Sequence, residues 1–178
     1  YGAGYPGLRS AATMHASTAT RSPHMDLHIE PDDLSRAAVL ALLREHLDDM
    51  YAWSPAESVH ALDLSGLRAP DVTVWTAWRA GELLACGALK ELSADHGEIK
   101  SMRTPRALRR CGAGRAMLAH ILQQARQRGY RQLSLETGAQ EPFRPAQALY
   151  QSVGFRYCPP FGSYQPDPNS VFMTLALG

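Results

Sequence analysis

The stretch from Glu98 to Arg115, E-I-K-S-M-R-T-P-R-A-L-R-R-C-G-A-G-R, constrains the fold more than any other part of the chain. A strand-like run, Glu98 to Arg103, is stopped by Thr104-Pro105. Arginines and Gly112-Ala113-Gly114 then lead into a long amphipathic pattern. A glycine-containing turn at a helix start leaves several backbone N–H groups unpaired and pointing outward. The helix dipole adds partial positive charge there, and glycine lets a ligand oxygen approach without meeting a Cβ. Such a place suits a phosphate or pyrophosphate. Arg103, Arg106, Arg109, Arg110 and Arg115 crowd the same short region. The stretch therefore reads as the site of an anionic cofactor, to which the remaining fold presents a substrate.

The bounds on the chain are broad. Its 178 residues suffice for one domain with a full core. A formal net charge of +1 gives no reason to expect nucleic acid or a membrane as partner. No apolar run approaches the roughly 20 residues of a membrane helix. Cys86, Cys111 and Cys158 have no metal-ligand spacing, so no metal is expected. They fit free thiols in a reducing, cytoplasmic compartment, with Cys111 as a small loop filler. Residues 1–24 have little periodicity and no acid, and Pro23-His24 before Met25 resembles a cloning scar. A leader over 1–24 and a single domain over 25–178 are the expectation.

Along the chain, Asp26–Glu30 alternates as a first strand, and Pro31-Asp32-Asp33 announces a helix over roughly 33–50. His46 lies on its apolar stripe and reads as a packed histidine. Ser54-Pro55-Ala56-Glu57 has the form of a capping box and predicts a short second helix to about Leu62. With Tyr51 and Trp53 before it and Glu57 and His60 on one side, this segment reads either as a substrate wall or as a plain connector. Val72–Arg79, Leu83–Glu91 and Glu98–Arg103 form an antiparallel meander. After the glycine turn, Met117, Leu118, Ile121, Leu122 and Ala125 mark a buried helical stripe that stops at Gly129. Leu133–Thr137 then returns parallel to Glu98–Arg103 by a right-handed crossover. A helix from Arg144 or Pro145 to Val153-Gly154 and two last strands, Phe155–Tyr157 and Val171–Leu177, complete the chain.

Three phosphate-cradling patterns compete for the glycine turn. A P-loop fails, because neither Lys nor Ser/Thr follows Gly114. A dinucleotide fingerprint needs a third glycine or alanine where Met117 stands, and should open a βαβ array. Arg109-Arg110-Cys111-Gly112-Ala113-Gly114 instead resembles the Q/R-x-x-G-x-G/A motif of the GNAT superfamily, the acetyl-CoA-dependent N-acetyltransferases. S-L-E-T-G and A-x-x-L-Y-x-x-x-G-F (Ala146, Leu149, Tyr150, Gly154, Phe155) follow in that family's order. The element order β-α-α-β-β-β-α-β-α-β-β is similar too, and the resemblance covers 25–178. S-P-x-E-S-x-H-A-L and D-P-N-S-V-F-M resemble a bacterial branch of small acetyltransferases. One departure stands out. The family often carries Asn seven residues before the Tyr of L-Y, where this chain has Phe143, with Arg144 or Gln147 as replacements.

The resemblance implies an α+β, GNAT-like fold, with about seven mostly antiparallel strands, one parallel splayed pair and about four helices. It implies acetyl-CoA as co-substrate, its pyrophosphate on main-chain N–H groups from Arg109 to Arg115 (Cys111, Gly112, Ala113 and Gly114 included). The pantetheine arm would lie beside Met102, Arg103, Thr104 and Thr137. Tyr150 matches the family's general acid. Glu98 is the first choice for a base, through water, with Glu136, His96 and His60 in reserve; it could equally be a surface strand residue. Tyr51, Trp53, Glu57, His60, Phe161 and Tyr164 are offered to an amine acceptor, a small molecule or a protein. A homodimer is allowed. The competing functions are a non-catalytic acyl-CoA sensor and a nucleotide-binding oxidoreductase.

Overall fold

The computed structural model describes residues 27–178, so the leader over 1–24 and the start of the first strand at Asp26 lie outside the described residues. The elements are β1 (His28–Pro31), α1 (Ala37–Trp53), α2 (Leu64–Leu67), β2 (Val72–Arg79), β3 (Glu82–Ser93) and β4 (His96–Arg103). α3 (Ala113–Gln127), β5 (Gln132–Gly138), α4 (Arg144–Gln151), β6 (Arg156–Cys158) and β7 (Ser170–Ala176) follow. The strands form one sheet in the order β1-β2-β3-β4-β5-β7-β6, antiparallel except for β4 with β5. This is the α+β class expected.

Two hydrophobic clusters sandwich the sheet. Met117, Leu118, Ile121, Leu122 and Ala125 of α3 pack on Leu84, Leu89, Ile99, Leu133 and Leu135. Val39, Leu42 and Leu43 of α1 cover Val74, Leu83, Cys86 and Ala88 on the other face. Because side chains alternate along a strand, Ile99 goes to the α3 side while Glu98 and Lys100 go to the side covered by Tyr164 and the backbone at His60.

The functional opening comes from β4. It pairs with β5 only over His96–Ile99, against Gln132–Leu135. Beyond that point the two strands part. On the other edge of β4, Lys100 faces Ala88 and Arg103 faces Cys86, so Ser101 and Met102 together oppose Gly87. That is a β-bulge, and a bulge bends its strand and re-aims its side chains. Ser101 takes the left-handed conformation (φ 50) to make it. A Cβ on Gly87 would stand 2.9 Å from Ile121 and 3.1 Å from the Met102 sulfur, so glycine lets the bulge close onto α3 without displacing these side chains.

Two local expectations are corrected. α1 begins at Ala37 and runs to Trp53, not over 33–50. Asp32 and Asp33 accept from the N–H groups of Leu34 and Ser35 (2.7 and 3.0 Å), and these turns hold the chain out of the helix until Arg36. Ser54-Pro55-Ala56-Glu57 does not open a helix to Leu62. Ser54 N–H instead closes α1 on Met50 O at 3.0 Å, and only a 3-10 turn, Ala56–Ser58, follows. The second helix is the single turn Leu64–Leu67, capped by Asp63, which accepts from Gly66 N–H at 2.8 Å. Among the described residues no helix is long and apolar enough to cross a membrane.

Candidate active site

A cleft of about 560 Å³ opens where β4 and β5 part, within the usual range for small-ligand sites. One wall is the bulged end of β4, Ile99 to Thr104. The facing wall is the end of β5, with Glu136, Thr137 and Gly138, together with Ala146, Leu149 and Tyr150 of α4. α1 closes one side with His46, Met50 and Trp53, and the segment Ser58–Ala61 lies next to it. The glycine turn forms the mouth, with Arg109, Arg110, Gly112, Gly114 and Arg115.

At that mouth α3 starts without a side-chain cap, and its first backbone bond runs from Ala116 N–H to Gly112 O. The N–H groups of Ala113, Gly114 and Arg115 therefore have no partner within the helix. Arg110 (φ 67) and Gly112 (φ 85) both take left-handed conformations, the alternation that curls main-chain N–H groups into an anion-binding nest. A Cβ on Gly112 would meet nothing within 4 Å, so the cradle is open. The residues fit a diphosphate-bearing ligand.

Deeper in, the titratable groups sort into exposed to the cleft and sealed beneath it. Glu136 faces the cleft and accepts from the Ser170 hydroxyl at 2.7 Å. Burial raises its pKa above the usual carboxylate range. The Tyr150 ring is buried edge-on against Phe155, and burial raises its hydroxyl pKa well above that of a free tyrosine. Tyr150 thus keeps its proton at neutral pH and can only give it, the protonation state a general acid needs. His46 has its pKa lowered to about 4, by burial first and then by Arg103 and Lys100, so it is a neutral imidazole at pH 7.

Glu98, the expected base, is not on the cleft wall. It is buried, paired with Lys100 Nζ at 3.0 Å, and accepts from the Tyr164 hydroxyl at 2.6 Å. Tyr164 is spent on that cluster and, with Phe161, on packing Phe172, so neither ring lines the cleft. Tyr51 is 60 % exposed on the outer side of α1, and Glu57 is exposed too, so neither reaches the site. His96 bonds Ser134 at 2.8 Å, away from the opening. Of the acceptor-side residues read from sequence, the cleft gathers Trp53 and His60. Of the mouth residues, Cys111 is exposed outside the lining and Ala113 is buried beneath it, contributing backbone only.

Phe143, at the position where an Asn was expected, is buried edge-on to Trp53 (5.6 Å, 85°) and closes the cleft's end. Gln147 does not replace the Asn: it donates to Gly138 O at 2.8 Å and accepts from the Tyr157 hydroxyl. Arg144 stays outside the lining. A Cβ on Gly138 would fall 2.2 Å from the Phe143 ring. Gly138→Ala should therefore cost about 1–3 kcal/mol of overpacking, a drop in Tm on the order of 5 °C by thermal unfolding.

Comparison with known proteins agrees with this geometry. A family model described as the acetyltransferase (GNAT) family matches residues 39–155. The chain is 54 % identical over 151 residues to the uncharacterised N-acetyltransferase YsnE of Bacillus subtilis, covering 85 % of this chain and 100 % of that one. It is 49 % identical over 150 residues to the uncharacterised N-acetyltransferase YedL of Escherichia coli, covering 84 % and 94 %. A crystal structure from Klebsiella pneumoniae, provisionally described as an acyl-CoA N-acyltransferase, superposes with a TM-score of 0.72 at 32 % identity, covering 85 % and 98 %.

Proposed function

Because the chain belongs to the acetyltransferase (GNAT) family, N-acetyltransferases that draw the acetyl group from acetyl-CoA, we propose that it passes this group to a primary amine of a small molecule or a protein. The amine attacks directly while both partners are bound. The observation that carries the reading is the parting of β4 and β5 beyond Ile99 and Leu135, next to the open N–H groups at the start of α3. One cleft thus joins an anion cradle to a buried acid and a carboxylate.

Acetyl-CoA supplies an activated thioester, and the residues of the chain do the rest. The N–H groups of Ala113, Gly114 and Arg115 would hold the diphosphate, with Arg110 and Arg115 adding charge. Main chain around Met102 and Thr104, left without a strand partner on the β5 side, would bind the amide-bearing arm as an added strand. The Met102 N–H is assigned as the donor that polarises the thioester carbonyl, an effect worth about 3 kcal/mol for an oxyanion-hole donor in a well-studied protease. Tyr150 gives its proton to the departing thiolate. Glu136, rather than Glu98, takes the proton from the acceptor ammonium, directly or through water. Its carboxylate faces the cleft, whereas that of Glu98 is already held by Lys100 and Tyr164.

A free-thiol release assay with acetyl-CoA and a broad panel of amines, with the acetylated product identified by mass, tests this. An N-acetylated amine formed in proportion to released CoA supports it; tight CoA binding with no acceptor in the panel favours the sensor. Glu136→Gln sharpens the test. General-base catalysis contributes about 10²–10⁴-fold, so the variant should lose at least two orders of magnitude in kcat. The wild-type rate should rise with pH as Glu136 deprotonates, and its raised pKa puts that rise above the range of an ordinary carboxylate. In the variant this limb of the pH–rate profile should be absent; an identical profile removes Glu136 from the role.

A further inference from the structure

The arginines at the cleft mouth are sorted by one carboxylate. Asp49 is 0 % exposed on α1, and its oxygens pair with Arg103 at the end of β4, with Arg106 in the turn that follows, and with Arg109 at 3.6 Å. Glu45, one helical turn earlier, adds Arg103 Nη2 at 2.7 Å and the backbone N–H of Arg106 at 3.2 Å. Among the described residues Arg110 and Arg115 have no carboxylate partner, and both face the cleft.

A buried carboxylate is costly to desolvate, and the ion pairs that offset this, with buried Arg103 and half-exposed Arg106 and Arg109, return little net stability. The grouping therefore needs a reason other than holding the fold together. Its effect is geometric: three points along residues 103–109 are drawn onto α1, and the chain between them and Gly112 is left with one path. We propose that Asp49 is a positioning residue for the diphosphate cradle. By anchoring Arg103, Arg106 and Arg109 it fixes the loop so that the free N–H groups of Ala113, Gly114 and Arg115 face the cleft. This rests on reading the glycine turn as the acetyl-CoA site.

Electrostatics alone and positioning predict opposite signs. Asp49→Asn removes a negative charge among cations and raises the positive potential at the mouth, which by itself tightens an anion. Positioning predicts a loss, because the amides no longer converge; misplacements near 1 Å can cost up to about a hundredfold.

The experiment is titration calorimetry with CoA on wild type, Asp49→Asn and Asp49→Glu, alongside steady-state kinetics and thermal unfolding. The expected result is a Kd for CoA and a KM for acetyl-CoA each raised about tenfold or more in Asp49→Asn, with kcat at saturation changed far less. Asp49→Glu, which keeps the charge, should recover part of the affinity. A lowered Tm with unchanged Kd would mean a structural role only. Should Asp49→Asn fail to fold, Arg106→Ala decides, since the Arg106 side chain is 56 % exposed and its loss leaves the core intact. Its weakened CoA binding should persist at about 1 M salt, where the Debye length is only about 3 Å; weakening that vanishes there is charge alone and overturns the proposal. Wild type that binds CoA beside an Asp49→Asn variant that binds equally well or better sinks the anchor alone. Wild type that does not bind CoA sinks the acetyl-CoA reading and the anchor with it.

Discussion

Gly112→Glu is expected to reduce CoA binding at least a thousandfold, below detection by calorimetry, in a protein that still folds. Two costs add. Gly112 sits at φ +85, where a residue with a Cβ is strained by about 1–2 kcal/mol, a cost to binding because the free loop relaxes away from the bound conformation. The larger cost is charge. Nothing lies within 4 Å of the Cβ position and Gly112 lines the cleft mouth, so the new side chain occupies open space at the cradle rather than the core. A carboxylate about 4 Å from a bound phosphate charge repels it by about 4 kcal/mol at the effective dielectric of a protein surface. Gly112→Ala separates the costs, since it adds strain without charge or clash, and should weaken binding no more than about tenfold. Unchanged CoA affinity in Gly112→Glu would place the diphosphate elsewhere.

Tyr150→Phe is the second large effect and falls on a different step. The ring packs against Phe155 through its edge, and a phenylalanine keeps that contact. CoA affinity and thermal stability should therefore change little. Turnover should fall by about 10²–10⁴-fold, the usual contribution of a positioned acid. Because burial raises the Tyr150 pKa, the alkaline fall in wild-type kcat should come above the range of a free tyrosine. Turnover equal to wild type removes Tyr150 from the acid role. A loss confined to KM would make it a binding residue instead.

The parts legible from sequence are those governed by local period. The alternation of Val72–Arg79 gives β2 with its bounds, and the stripe Met117–Ala125 gives the buried face of α3, because strand and helix periods act over a few residues. The parallel return of β5 was legible too, since a strand–helix–strand connection has one favoured hand. Ser54-Pro55-Ala56-Glu57 misled because a capping box is only a start signal. α1 continues to Trp53 and leaves room for a single 3-10 turn.

Charge pairing was not legible. Glu98 stands at the right place along β4 for a base, and alternation puts Lys100 on the same face, but does not tell that Lys100 and Tyr164 take the carboxylate. Glu136 and Glu98 look alike in sequence and differ in the fold by which one faces the opening. Asp49 belongs to no motif in the sequence, and its partners lie 54 to 60 residues further on. Its signal in sequence was faint: two consecutive acids, Asp48 and Asp49, ahead of a run of arginines.

A crystal structure with acetyl-CoA bound decides where the cofactor and its thioester lie. The diphosphate is expected on the N–H groups of Ala113, Gly114 and Arg115, the amide-bearing arm beside Met102 and Thr104, and the thioester between Tyr150 and Glu136. A diphosphate seated away from that turn, or β4 and β5 drawn together along Lys100–Arg103 with the ligand elsewhere, would contradict it.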